Sequence, residues 1–376
     1  MAQSPRPTAA IKPRVPAGEG GAAKGVKTIP GTSIRVFRTV EEVRAWRREQ
    51  HRQGTTVGLV PTMGALHSGH RALVQAAMRE NEAVVVSVYV NPAQFGEHED
   101  LDSYPRTWEA DCAALAEEDE AATTRPDVVG RVAAVFAPTT ATMYPSGPPR
   151  QSVDAAGSFV TVTPVGSVLE GASRPTFFRG VATVCMKLFH LVQPDRAYFG
   201  QKDVQQTVVI RRIVRDFCVP LHVVVCPTVR EPPDGLALSS RNVYLGPRRR
   251  AVANVLRRAL LAAEAAVGTK HTGGLSGLSP PDILAAAWRV ADDTLAAQKQ
   301  LPPDQRALFE IDYLSLADPD TMLELTGPVD ASRGAILSGA VRMLPVEEPQ
   351  PGEDLGHSGG PLVRLIDNIV LEPVAA

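Results

Sequence analysis

Between about Ser33 and Cys226, short apolar, β-branched runs alternate with stretches of helical periodicity, and this alternation constrains the fold more than any other property of the chain. Residues 34–37, 56–60, 83–90, 132–136, 196–199 and 221–226 read as strands; 40–53, 70–81, 108–118, 178–192 and 205–217 read as helices. Strands that are apolar throughout must be covered on both faces, and strands joined through helices pair in parallel. The expected fold class is therefore α/β, a Rossmann-like doubly wound parallel sheet. Residues 159–165 alternate as a further strand with one wet face, and 221–226 closes the series as a buried strand.

After about Thr228 the character changes. Helical patterns over 248–267 and 281–300 precede strand patterns at 309–316, 335–343 and 362–371, which predicts a smaller C-terminal α+β domain. The expected division is a disordered tail (1–32), a Rossmann-like domain (33–228) and a C-terminal α+β domain (229–376). Low-complexity inserts lie near 268–280 and 345–360, the second acidic, Pro/Gly-rich, and expected to be exposed and mobile. Residues 128–131, with the acidic stretch 117–120, read as another surface elaboration.

A chain of 376 residues accommodates two domains, and a net charge of −2 argues against broad attraction to nucleic acid or membrane. Any anion site must be local. The four cysteines show no Cys-x-x-Cys spacing; Cys185, Cys218 and Cys226 lie in apolar stretches and read as small buried hydrophobes. No disulfide framework or zinc site is expected, which fits a reducing cytoplasm. There is no apolar run of about 18 residues to span a bilayer. The Ala/Pro/Gly/Lys-rich N-terminus lacks the apolar middle of a secretory signal, with a transit peptide as the alternative to a plain tail.

In a parallel sheet, ligands sit beyond the C-terminal strand ends, where 61–70, 91–95 and 200–203 all fall. Residues 57–70, Val-Gly-Leu-Val-Pro-Thr-Met-Gly-Ala-Leu-His-Ser-Gly-His, run from strand through a Gly-rich turn to a helix start. Backbone N–H groups there have no internal partners and favour phosphate. His67 and His70 add donors, although an isolated His-x-x-His equally caps or packs. Gly200-Gln-Lys-Asp203 puts an ammonium at a second strand end, and Gln205 and Gln206 add amides for an oxygen-rich small molecule. Ser239-Ser-Arg241 sets two hydroxyls beside a guanidinium, a clamp for developing phosphate charge or a helix cap. Asn91-Pro-Ala-Gln-Phe95 presents Gln94 at a third strand end. No nucleophile for an acyl-enzyme stands out.

Together these strings resemble the pantothenate synthetases (pantoate–β-alanine ligases) of the nucleotidylyltransferase superfamily. Residues 61–70, 91–95 and 200–206, Tyr104-Pro-Arg, Met143-Tyr-Pro, Leu169-Glu-Gly, Arg230 through Asn242 and Arg364-Leu-Ile-Asp-Asn-Ile carry the resemblance. It implies ATP-dependent activation of pantoate to pantoyl adenylate, then attack by β-alanine to give pantothenate, with AMP and pyrophosphate released. By position, His67, His70, Lys202 and Arg241 would be catalytic. Met63, Gly64, Ala65, Leu66, His67, Ser68, Gly69, His70, Gly200, Gln201, Lys202, Asp203, Val229, Leu238, Ser239, Ser240 and Arg241 would bind ATP. Gln94 and Gln206 would hold pantoate, and Gln94 would also face β-alanine. ATP would arrive with Mg²⁺ on its own phosphates, with no dedicated protein metal site, Asp111 being the one protein contact considered. No tightly bound organic cofactor, nucleic acid or membrane is expected; a cytoplasmic homodimer is.

The chain departs from the family pattern in three places. Gln201 stands where glutamate is common, Phe177 where histidine often precedes Phe, and Pro232-Pro233 lengthens the loop before Leu238. Two competing readings share the His-x-Gly-His turn: another adenylyl- or cytidylyltransferase, and a nucleotide-binding protein without turnover.

Overall fold

The computed structural model describes residues 27–96, 99, 101–147, 152–232, 234–268 and 279–373. Most of the expected tail, most of the 268–280 insert, and Pro233 lie outside these residues. Residues 27–32, expected in the tail, are built into the fold: Thr28 bridges Arg35, and Ile29 is buried.

The first half runs β1 (Arg35–Phe37), α1 (Val40–Gln53), β2 (Val57–Thr62), α2 (Ser68–Glu80), β3 (Ala83–Val88), α3 (Trp108–Ala122) and β4 (Arg131–Phe136). Short helices α4 (Thr140–Met143) and α5 (Glu170–Ser173) precede α6 (Phe177–Val192), β5 (Arg196–Gly200), α7 (Val204–Asp216) and β6 (His222–Cys226). Local chemistry sets the limits of these elements. A capping box between Thr39 and Glu42 opens α1, and Gly54, at φ 68°, closes it in the left-handed conformation.

All six strands pair in parallel, in the spatial order β1-β4-β3-β2-β5-β6. Val57, Leu59, Val85 and Phe136 pack against α1, α6 and α7 on one face, whereas Val60, Val84, Val86 and Val135 pack against α2 and α3 on the other. The sheet is thus Rossmann-like and doubly wound, as expected. The chain grows outward from β2 through β3 to β4, then returns to place β5 on the opposite side of β2. That reversal makes the β2/β5 crevice the topological switch point, where such sheets bind ligands.

The second half contains α8 (Gly246–Arg250), α9 (Val255–Val267) and α10 (Pro280–Gln300), then an antiparallel sheet of β7 (Phe309–Ala317), β8 (Ala335–Met343) and β9 (Val363–Leu371). Leu256, Leu260, Ile283, Phe309, Leu337 and Leu365 belong to its core. Strand β9 is stitched to the first half. Arg364 pairs with Glu170 of α5, and Asn368 Nδ2 donates to the carbonyls of Gln201 (2.8 Å) and Lys202 (3.0 Å).

Several expectations are corrected. Residues 159–165 form no strand. Val160 and Val162 do face the core, but the Val160 N–H donates to the Thr183 hydroxyl and the Val165 carbonyl accepts from Gln205, so no ladder forms. The expected helix 248–267 is two helices, because i→i+3 bonds such as Val252 to Arg249 and Val255 to Val252 break the α register between them. Strand β6 is a sheet edge, with His222 exposed and only Cys226 buried. Residues 117–120 and 128–131 are not an elaboration: buried Glu118 pairs with Arg71, and buried Asp119 pairs with Arg131 and accepts the Val132 N–H. Cys218 is exposed in the turn after α7, whereas Cys112 is buried. The insert 345–360 is largely exposed but anchored, Arg248 reaching Glu353 and Arg249 the Leu355 carbonyl.

One glycine sets how closely the Gln94 turn lies on α6. A Cβ at Gly180 would stand 2.1 Å from the Ala93 carbonyl oxygen. Gly180→Ala is expected to destabilise the fold by about 1–3 kcal/mol through overpacking. Urea unfolding checks this, and an unchanged midpoint would show that the turn yields freely.

Candidate active site

Strand β2 ends in a turn whose shape is set by a buried carboxylate. Gly64 and Ala65 take φ of 83° and 50°, bending the backbone so that successive N–H groups converge. Asp111, on α3, accepts from Ala65 N (3.1 Å) and Leu66 N (2.8 Å), and also from the Thr107 hydroxyl. Both of its oxygens are therefore engaged in holding the turn, which argues against the role of metal contact considered for it.

The two histidines do cap the helix, and the capping makes them useful. His67 is the N-cap of α2: its Nδ1 accepts from Gly69 N at 3.1 Å, while His70 Nδ1 accepts from His67 N at 3.4 Å. This is why α2 begins at Ser68 rather than at His70. A neutral imidazole that accepts at Nδ1 carries its proton on Nε2. Each ring thus keeps one N–H donor free of the capping bonds. The rings lie 4.0 Å apart at 31°. Burial and the Lys202 ammonium push His67 down to about 4; burial, His67 and Lys202 push His70 down to about 3. Both rings are neutral at pH 7 in the unliganded protein.

Across the switch point, a 3₁₀ turn at Gln201–Asp203 follows β5 and carries Lys202, whose Nζ lies 3.6 Å from an Asp203 oxygen. Gln201 donates to the Asn368 side chain rather than joining the cavity wall. The two following glutamines part company. Gln205 is buried, its amide spent on the Val165 and Val168 carbonyls and the Glu170 N–H, so it is not a substrate residue. Both glutamines border the cavity, but among the described residues the Gln206 amide makes none of these bonds.

The third wall comes from the second half of the chain. A bridge between Arg230 and Ala237 pairs the two arms of a hairpin, 230–232 and 234–237, which Arg250 secures through Glu231 and Asp234. Ser239 then caps a 3₁₀ turn, accepting from Arg241 N, and the Ser240 hydroxyl lies 3.5 Å from that of Tyr104.

Gln94 follows β3 and is oriented from behind. Asn91 Nδ2 donates to Gln94 Oε1 (3.1 Å), and Asn91 is itself held by the Tyr144 hydroxyl (2.8 Å). Beside it, Arg174 pairs with Glu99, reaches the Gln94 carbonyl, and stacks 3.8 Å over the Phe177 ring. The phenyl at 177 therefore supports a guanidinium in place of a polar contact.

These elements enclose one cavity of about 850 Å³. Met63, His67, Gly69, His70, Gln94, Gly200, Lys202, Asp203, Gln206, Val229, Leu238, Ser239, Ser240 and Arg241 line it. Gly64, Ala65, Leu66, Ser68 and Gln201 do not; the first three form the turn, and Ser68 is exposed. Sequence reasoning gave no supporting role to Asn91, Tyr144, Arg174 or Asn368. Each lies in or beside a string that carried the resemblance, or beside a noted departure, and that proximity was the available signal.

Comparison with known proteins gives consistent results. Residues 35–370 match the family model for pantoate-beta-alanine ligase. The chain is 41% identical over 339 residues to the pantothenate synthetase of Koribacter versatilis, covering 90% of this chain and 96% of that one. It resembles the crystal structure of pantothenate synthetase from Thermus thermophilus with a TM-score of 0.66 and 42% identity, covering 89% of this chain and 99% of that one. It also resembles a pantoate-beta-alanine ligase from Francisella tularensis complexed with beta-gamma ATP and β-alanine, with a TM-score of 0.59 and 26% identity, covering 91% and 100%.

The depressed histidines make stability depend on pH in a definite sense. The unfolded chain binds protons near pH 6.5 that the folded chain refuses until about pH 4 or below. Stability therefore falls as pH drops through this window, by up to about 1.4 kcal/mol per pH unit for each histidine. Urea unfolding at about pH 7.5 and about pH 5.5, on either side of the ordinary histidine pKa, is expected to show a smaller loss in the double variant His67→Asn, His70→Asn. An equal loss would show that the imidazoles are not the groups responsible.

Proposed function

The chain belongs to the pantoate–β-alanine ligase family, and from that premise we propose that its cavity performs a two-step ligation of pantoate and β-alanine. The observation that carries the reading is the arrangement of three strand ends. Twin imidazoles after β2, an ammonium after β5 and an oriented amide after β3 face one cavity.

In the first step, a pantoate carboxylate oxygen attacks the α-phosphorus of ATP. The bond from that phosphorus to the bridging oxygen breaks, and pyrophosphate leaves with the electron pair. The Nε2–H groups of His67 and His70 donate to the phosphate chain without bringing net charge. Lys202, Arg241 and the hydroxyls of Ser239 and Ser240 neutralise the charge that accumulates on the departing group. Gly200, Asp203, Val229 and Leu238 form the nucleotide wall, and Gln94 and Gln206 hold pantoate.

In the second step, the β-alanine amine attacks the acyl carbon of pantoyl adenylate, the acyl–oxygen bond breaks with its electron pair going to the departing AMP, and the amine proton passes to the AMP phosphate. Enclosure by the second half of the chain keeps water from the mixed anhydride. Residues 33–228 would then form the ATP and pantoate domain, with 229–376 as its lid.

ATP would enter with Mg²⁺ on its phosphate oxygens. Asp111 is spent on the turn, and among the described residues no group of three candidate metal ligands occurs. No helix among them is long and apolar enough to cross a membrane. A cytoplasmic location and a homodimer belong to the same proposal, and light scattering tests the dimer.

Exchange of labelled pyrophosphate into ATP is expected only when pantoate is present. Lys202→Ala or His70→Ala should slow single-turnover formation of pantoyl adenylate by at least ~10²-fold. Exchange that ignores pantoate would overturn the substrate assignment, and a near wild-type rate in either variant would remove that residue from the chemistry.

A further inference from the structure

Most cations around the cavity are already paired. Arg174 is held by Glu99, Arg364 by Glu170 and Asp312, Arg342 by Asp312, and Lys202 lies near Asp203. Arg257, in the first turn of α9, differs. It lines the cavity, and among the described residues its guanidinium makes no hydrogen bond or ion pair.

Its surroundings sharpen the anomaly. The nearby carboxylate, Asp367, is already taken in a fork by Arg230, at 2.7 and 2.9 Å. Arg257 therefore finds this carboxylate occupied, and Asp367 and Glu264 both act on it only through space. Burial and the charge of Arg230 both disfavour the Arg257 cation, yet a guanidinium stays protonated at neutral pH. An unpaired charge in a half-buried wall costs free energy unless a ligand completes it.

The position selects which ligand. Cγ of Arg257 lies 4.0 Å from where a Cβ would stand on Gly235, in the hairpin that leads to Ser239–Arg241. Asp367 is followed by Asn368, which holds the Lys202 carbonyl at 3.0 Å. Arg257 thus stands on the Lys202 and Ser239–Arg241 side of the cavity. The anion expected there is a phosphate chain rather than a substrate carboxylate.

We propose that Arg257 is a further contact to the β- and γ-phosphates of ATP and to the pyrophosphate that leaves. This deepens the ligase reading and rests on it. The guanidinium would hold the leaving group from the α9 side while Lys202 and Arg241 hold it from the loops.

The test compares Arg257→Gln and Arg257→Lys with the wild-type protein. In pantoate-dependent exchange, Arg257→Gln is expected to raise KM for ATP and for pyrophosphate ~10-fold or more, as for loss of a charge-assisted hydrogen bond. KM for pantoate should stay within about twofold, below what loss of one hydrogen bond causes. Arg257→Lys should recover part of the loss. The unliganded glutamine variant should melt no lower than wild type, because like-charge repulsion from Arg230 is relieved, while the rise in Tm produced by added pyrophosphate or ATP shrinks. A wild-type KM for pyrophosphate with an undiminished ligand-induced rise in Tm would overturn the proposal. So would a lower Tm of the unliganded variant without selective loss of pyrophosphate affinity, since that marks a structural role. Should the wild-type protein show no pantoate-dependent exchange, the ligase reading fails. The pyrophosphate-induced change in Tm then still decides whether Arg257 contacts the anion.

Discussion

The parallel pairing of β2 with β5 is the constraint on which the rest of the site depends. Only Gly58 with Arg196 and Leu59 with Ala197 are in register, yet this contact joins two halves of a sheet that grow in opposite directions. Because each strand's C-terminal end faces the same way, the turn after β2 and the turn after β5 open into one crevice. His67 and His70 meet Lys202 there although more than a hundred residues separate them along the chain. Strand β9 completes the crevice from the other sheet by holding the carbonyls that flank Lys202.

The electrostatics of the unliganded cavity follow from this geometry. Imidazoles that give Nδ1 to backbone N–H groups keep Nε2–H donors, and burial beside an ammonium keeps them uncharged. Donors that carry no charge add no like-charge repulsion against Lys202 before ATP arrives. The turn is held in advance by Asp111, and Gln94 by Asn91 and Tyr144, so little reorganisation is left for the binding step. Arg257 is the exception, a cation unpaired among the described residues, and its proposed completion by phosphate fits the same logic.

Much of this was legible in the residues, and the failures share one cause. Helix α1 and strand β8 fall where periodicity puts them, since caps and alternation are local properties. The residues 159–165 alternate as a strand should, and Val160 and Val162 do pack on the core, but a ladder needs a neighbouring strand and α6 supplies only a surface. Glu118 and Asp119 look like surface charge until Arg71 and Arg131 arrive from distant elements to pair with them. Gln205 and Gln206 are the same residue type side by side at the cavity, and only the helix phase spends the first amide on Val165, Val168 and Glu170. Asp111 shows the same limit, its carboxylate consumed by a turn more than forty residues earlier.

The sequence by itself determined the strand–helix alternation, the glycine-rich turn after β2, the family, and the candidate residues at three strand ends, because each rests on short-range periodicity or on contiguous motifs. The tertiary structure alone decided which side chains those motifs leave free. Pairing of a polar group is settled by what packs against it from elsewhere in the chain, and this distinguishes Gln206 from Gln205, and Arg257 from Arg230.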